Sequence, residues 1–152
     1  DSAGNRVTGR TKIMPPVELD SIQIQPLLSD SSVSILSFFP DDPTEANFYR
    51  SMQFRTEAIT DSLKIDFIVD DEIVNGTQVV VGGPPFFVEG DTLVAQLLEI
   101  DEAYYKFVES REALEASNGN PFGTPGVIVS NLEGGIGIFT GFTATRETFI
   151  ID

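Results

Sequence analysis

Short runs in which every second residue is apolar recur along this 152-residue chain, and each stops at a cluster of Gly, Pro, Asn or Asp. A side-chain period of two belongs to extended backbone with one buried face, and a period nearer 3.6 belongs to a helix. From residue 17 the pattern runs Val17, Leu19, Ser21 and then Ile22, Ile24, with a slip of phase near Ser21 that a bulge would absorb. Residues 32–39 set Val33, Ile35 and Ser37 against Leu36 and Phe38, and Pro40-Asp41-Asp42-Pro43 closes the run. Phe48, Arg50, Met52 and Phe54 then alternate with Tyr49, Ser51, Gln53 and Arg55, and Leu63, Ile65, Phe67 and Val69 follow at the same period. Further strands are expected at 77–81, before Gly82-Gly83-Pro84-Pro85, and at 86–88, 92–100, 127–129, 136–142 and 146–151. The period changes once. Between 101 and 117 Tyr104, Phe107, Val108 and Leu114, with Ala103 and Ala113, form a helical stripe that Asp101 can cap, with Gly119 just past its end. The expectation is a mainly β protein, an antiparallel β-sandwich or partly closed barrel with one α-helix near 101–117. Residues 1–14 read as a linker or as the trailing strand of a missing N-terminal domain, and 15–152 as a single β-rich domain.

The chain has no His, no Cys and no Trp, so imidazole-based acid–base chemistry and thiol nucleophiles have no side chain to carry them. Zinc sites want the same missing ligands, which leaves hard cations held by oxygen, calcium above all. With 24 acidic residues against 9 basic ones the net charge is -15, a field that repels nucleic acid and anionic lipid surfaces alike. An apolar content of 41% is enough to drive folding despite that charge. No apolar run approaches the roughly 18 residues of a membrane span. The chain starts at Asp1 without Met, leader or lipidatable Cys, and so reads as a processed product or fragment whose anchor, if it has one, lies upstream.

No Lys or Arg occurs from Ile65 to Tyr105, while acidic residues are frequent there. Asp70, Asp71 and Glu72 are the calcium candidates, since close carboxylates repel one another unless a cation sits among them. Their spacing is not that of a calcium-binding helix–loop–helix, and a solvated acidic loop is the commoner meaning. Paired carboxylates also raise a glycosidase, which needs two carboxyls facing across a cleft. Gly134-Gly135-Ile136-Gly137 has a Gly out of place for a nucleotide loop and no helix behind it, so a bend or close backbone approach is expected instead. The pairs Phe38-Phe39, Phe48-Tyr49, Phe86-Phe87 and Tyr104-Tyr105 are each expected to put one ring in the core and one at the rim. Loops 40–46 and 82–87 are the expected contact surfaces, with Asp42, Pro84, Pro85 and Phe86 as partner-contact candidates.

Four stretches carry a resemblance. They are Asp42-Pro43 followed by Asn47-Phe48-Tyr49-Arg50; Asp70-Asp71-Glu72 with Asn75-Gly76; Ile100 to Phe107; and Asn120-Pro121-Phe122 leading to Ser130-Asn131-Leu132-Glu133-Gly134-Gly135-Ile136-Gly137-Ile138-Phe139. In order and spacing, from about Pro15 onward, they resemble the carboxy-terminal part of a Bacteroidetes lipoprotein family known as domain of unknown function 4249. Phe48 stands where that family often has Tyr. The triplets at Asp1, Asp20, Asp61 and Asp91 are similar to the O-glycosylation pattern of that phylum, with Ser2, Ser21, Ser62 and Thr92 as acceptors. The resemblance implies an outer-membrane lipoprotein, periplasmic or surface-exposed, with no transferable activity and no cofactor, whose relatives are often encoded beside TonB-dependent receptors. A non-enzymatic accessory module docking on such a receptor or transporter is the leading expectation. A glycan- or calcium-binding β-domain and a carboxylate-dependent glycosidase are the alternatives.

Overall fold

Alternation in the sequence becomes strand pairing in the computed structural model, which describes Gly4 and residues 6–27, 31–56, 64–117 and 126–152. The elements in chain order are β1 (Thr8–Gly9), β2 (Ser21–Pro26), β3 (Ser32–Pro40), β4 (Phe48–Arg55), β5 (Lys64–Asp70), β6 (Gln78–Gly82), β7 (Phe87–Val88), β8 (Thr92–Ile100), α1 (Glu102–Ser117), β9 (Leu132–Glu133) and β10 (Ala144–Ile150). Contacts gather them into two compact units, Pro15–Glu99 with Thr143–Asp152, and Asp1–Met14 with Ile100–Phe142.

The first unit is an antiparallel β-sandwich. One sheet has the order β2-β3-β6, with β7 added beside the start of β3, and the other the order β10-β8-β4-β5. Val33 and Ile35 of β3 and Phe87 of β7 meet Ile65 of β5, Leu93 of β8 and Ile151 in one core cluster. Phe39 of β3 with Val79 and Val81 of β6 meets Tyr49 of β4 and Leu97 of β8 in the other. Each cluster draws on both sheets, so two layers close on each other and no barrel forms among the described residues. Each of these large side chains contributes about 1.5–3 kcal/mol by leaving water.

Strand β4 turns its more polar face inward. Tyr49, Ser51 and Gln53 are buried, whereas Phe48, Met52 and Phe54 on the opposite face are half-buried. What fixes this phase is contact across the sandwich: the Tyr49 ring meets Phe39 edge-on at 4.9 Å, and Gln53 Nε2 donates to the Ile35 carbonyl at 3.1 Å. The phase slip at Ser21 marks a boundary as well. β2 starts there, and the preceding Val17 and Leu19 lie outside any strand while packing on the second cluster.

In the other unit the helix forms where the period changed. Asp101 caps it through a hydrogen bond from the Tyr104 N–H to Oδ1 at 2.9 Å, and Tyr104 and Val108, one turn apart, are its buried residues. The strands expected at 127–129 and 136–142 do not form. Side chains take the place of a partner strand: Asn131 accepts the Phe139 N–H at 2.8 Å and donates to the Phe139 carbonyl at 2.7 Å. Ser130 Oγ accepts the Gly137 N–H at 3.2 Å and donates to its carbonyl at 2.9 Å. Alternating apolar residues such as Val127 and Ile136, 82% and 84% exposed, therefore face solvent in irregular backbone. Gly134 is required by close approach: it has φ +82°, and an added Cβ would lie 2.6 Å from the Arg6 carbonyl oxygen.

Candidate functional site

The alternation that builds the sandwich also carries polar residues to one end of its inner surface. On β8 the inward series Leu93, Ala95, Leu97 ends in Glu99; on β5 the series holding Ile65 and Val69 ends in Asp71, one residue past the strand. Strand β4 lies between them, and the residue preceding it in the inward phase is Asn47. From the facing sheet, Asp41 continues the inward series of β3. Asp41, Asn47, Asp71 and Glu99 are all buried, at 9%, 2%, 4% and 4% exposure.

These groups are held by a network. Asn47 and Asp71 extend the β4–β5 ladder by one step, since the Asp71 N–H donates to the Asn47 carbonyl at 3.2 Å and the Asn47 N–H donates to Asp71 Oδ2 at 3.0 Å. Asn47 Nδ2 donates to Glu99 Oε1 at 3.0 Å. The Tyr49 hydroxyl donates to Asp41 Oδ1 at 2.6 Å, and the Gly76 N–H to Asp41 Oδ2 at 2.7 Å. Gly76 reaches that position with φ +73°, which explains the Asn75-Gly76 turn. One buried acceptor is left over: Asn47 Oδ1 has no hydrogen-bond partner. Burial raises the Tyr49 phenol far above its ordinary value, and the hydrogen bond to Asp41 and the charges of Asp41, Glu99 and Asp71 add to the effect. At neutral pH it is a fixed donor, unsuited to giving up its proton.

A cavity of about 330 Å³ opens over this row, lined by Pro15, Pro16, Val17, Glu18, Pro40, Asp41, Asp42, Glu45, Asn47, Tyr49 and Glu99. Five lining residues are acidic and none is basic. Asp42 stands at the solvent edge, where it accepts both the Thr44 hydroxyl at 2.6 Å and the Thr44 N–H at 2.8 Å. Those bonds, the hydroxyl first, hold its carboxyl below the usual range.

Asp70, Asp71 and Glu72 do not converge on a common point. Asp71 turns into the network, Asp70 Oδ1 accepts the Glu72 N–H at 3.3 Å, and Glu72 is exposed. Among the described residues no three acidic side chains are grouped to hold a metal ion. Pro84 is exposed, Pro85 half-buried, and Phe86 50% exposed beside the fully buried Phe87; none of them lines the acidic cavity, whereas Asp42 does. Of the glycosylation candidates, Ser21 is exposed on β2 and Thr92 half-buried on β8, while Ser2 and Ser62 lie outside the described residues, as does Asn120-Pro121-Phe122. Sequence reasoning did not single out Asp41, Asn47, Tyr49 and Glu99. The signal was available in their phase, since each is a polar or amphipathic residue on the inward side of an alternating run.

Residues 1–148 match the family described as Domain of unknown function (DUF4249). The chain belongs to this family. The DUF4249 match begins at the first residue, ahead of Pro15, where the sequence resemblance was placed. No curated protein and no solved structure gave a match. No helix among the described residues is long and apolar enough to cross a membrane.

Proposed function

We propose that this DUF4249 chain is a non-enzymatic binding module of a cell-envelope lipoprotein, docking on an outer-membrane receptor or transporter of the TonB-dependent kind. The observation that carries this reading is the acidic cavity at the end of the sandwich: five carboxylate residues on strand ends and loops of a rigid scaffold, set up to receive a positively charged group. Its buried carboxylates are tied into structural hydrogen bonds: Asp41 is held by Tyr49 and Gly76, and Glu99 by the Asn47 amide, while Asp71, outside the cavity lining, holds the Asn47 backbone. Fixed acceptors of this kind suit recognition.

The test is affinity purification of a full-length, lipidated version from outer membranes with cross-linking and identification of the bound protein. A TonB-dependent barrel should be recovered, and lost as salt is raised. Recovery from the outer membrane with no barrel partner, or from another compartment, rejects the proposal.

A further inference from the structure

We infer that a cavity beside β1 is a second binding site, for a small anion carrying two or more carboxylate or phosphate groups, with Arg6 and Arg10 as its paired cationic contacts. The site shares no lining residue with the acidic cavity and does not depend on the docking proposal. Its starting point is an imbalance of charge. The chain has 24 acidic residues and 9 basic ones, yet its first 14 positions hold Arg6, Arg10 and Lys12 with Asp1 as their single acid. The other four arginines are satisfied: Arg50 reaches Asp66 at 2.8 Å, Arg55 reaches Asp91 at 2.9 Å, Arg111 reaches Glu115 at 3.6 Å, and Arg146 Nε donates to Gln96 Oε1 at 2.6 Å. Arg6 and Arg10 have no acceptor for the guanidinium among the described residues, and both are exposed at the same cavity.

Alternation along β1 puts them there. Val7 and Gly9 face the 132–139 segment: a Cβ added at Gly9 would meet the Phe139 and Leu132 side chains at 2.7 and 2.8 Å, and one added at Gly135 would meet Val7 at 3.4 Å. Arg6, Thr8 and Arg10 share the opposite face and line a cavity of about 760 Å³, within the range of small-ligand sites. Four steps of extended chain set the two arginine Cα atoms about 13 Å apart. Their guanidinium groups can therefore grip a ligand from its two ends, each with a planar fork of donors that matches a carboxylate or phosphate. The backbone beneath them is pinned. Asn131 Nδ2 donates to the Arg10 carbonyl at 3.0 Å, Thr8 pairs with Glu133 in the β1–β9 ladder, and Gly134 packs against the Arg6 carbonyl, where an added Cβ would lie 2.6 Å from its oxygen. A fixed backbone bearing uncommitted cationic side chains is preorganised for a ligand.

The net charge of -15 decides how large that ligand is. A polyanionic chain or an anionic lipid surface would lie along the acidic protein and be repelled over its length. A small anion meets only the local field, because screening confines an exposed charge to about 8 Å at physiological salt. Glu133 lines the same cavity, where its Oε2 accepts the Thr8 hydroxyl at 3.4 Å, and its charge opposes the ligand.

The test is an NMR titration of the isotopically labelled 152-residue chain at constant ionic strength, with citrate and pyrophosphate as probes. Acetate, heparin and phosphatidylglycerol vesicles form the other arms. Citrate or pyrophosphate should bind saturably and move the side-chain Nε–H signals of Arg6 and Arg10 together with the backbone signals of Thr8 and Glu133. The tighter of the two identifies the ligand's groups as carboxylate or phosphate. Acetate should bind about tenfold more weakly, since it carries one group for two arginines. Arg6→Gln and Arg10→Gln, both at exposed positions, should each weaken the probe about tenfold with the rest of the spectrum in place, and Arg10→Lys should weaken it less. Glu133→Gln, which keeps an acceptor for Thr8, should tighten binding several-fold.

Absence of saturable shifts at Arg6 and Arg10 with either probe overturns the site. So do acetate binding as tightly as the probes, heparin or vesicles binding more tightly than both, shifts that survive in the double Arg6→Gln, Arg10→Gln variant, or an affinity that Glu133→Gln leaves unchanged.

Discussion

Replacing Tyr49 by Phe deletes one oxygen and leaves Asp41 short of a donor. In the native chain the Tyr49 hydroxyl, on a side chain 1% exposed, reaches Asp41 Oδ1 at 2.6 Å. The edge-on packing against Phe39 at 4.9 Å is available to either ring, so the change is confined to the hydrogen bond. A bond to a charged acceptor contributes about 1.5–3 kcal/mol. For a chain of this length that corresponds to roughly 3–12 °C in Tm. The effect also has a signature in pH. Tyr49 is raised above its ordinary value of 10.0 in the folded protein, by burial first and by Asp41 second. Below about pH 10 the phenol is protonated in both the folded and the unfolded chain, and its full contribution is present. Above that, the unfolded chain releases the proton while the folded one retains it, and native stability falls by about 1.4 kcal/mol per pH unit. The Phe variant has no such dependence, so the gap between the two proteins should be widest near pH 7–9 and narrow steadily from about pH 10 to 12. Urea denaturation of both proteins, followed by circular dichroism at matched pH values, measures the gap directly. A gap under about 0.5 kcal/mol at neutral pH, or one that is unchanged at about pH 11.5, would refute the placement of a buried, donor-locked phenol against Asp41.

Gly76→Ala should unfold at markedly lower urea, by more than about 1–2 kcal/mol, because φ is +73° and the new Cβ would lie 2.7 Å from Pro43 Cβ; native-like stability would show that this turn does not hold Asp41 as described. Asn131→Ala removes hydrogen bonds to the Phe139 N–H and carbonyl and to the Arg10 carbonyl, so hydrogen exchange at Phe139 should accelerate about tenfold or more. Asn131→Asp keeps the acceptor and should restore part of that protection, whereas unchanged exchange in the Ala variant would remove the strand-mimic role.

The site was half legible. Asp42 and Asp71 drew attention as residues of acidic loops, and both belong to the acidic cavity or to the network beneath it. Asp70, the last residue of β5, falls on the opposite face of the strand from the series that leads to Asp71, and Glu72 lies in the turn that follows, where its N–H donates to Asp70 Oδ1. Glu99 and Asn47, 52 positions apart in the chain, meet only because β8 and β4 are neighbours in one sheet.

Period and punctuation in the sequence were sufficient to determine the strands of the sandwich, the single helix with its Asp101 cap, and the absence of imidazole and thiol chemistry, because each depends on residues within a few positions of one another or on composition alone. Which face of β4 is buried, why residues 136–142 fail to become a strand despite their pattern, and how four polar residues from separate segments form one network were settled by tertiary structure. Those outcomes depend on what lies across the sandwich or along the neighbouring backbone: Phe39 and Ile35 for β4, the side chains of Ser130 and Asn131 for the last segment, and sheet order for the acidic row. Alternation states that a strand has two faces; only the partner that packs against it selects the one that is buried.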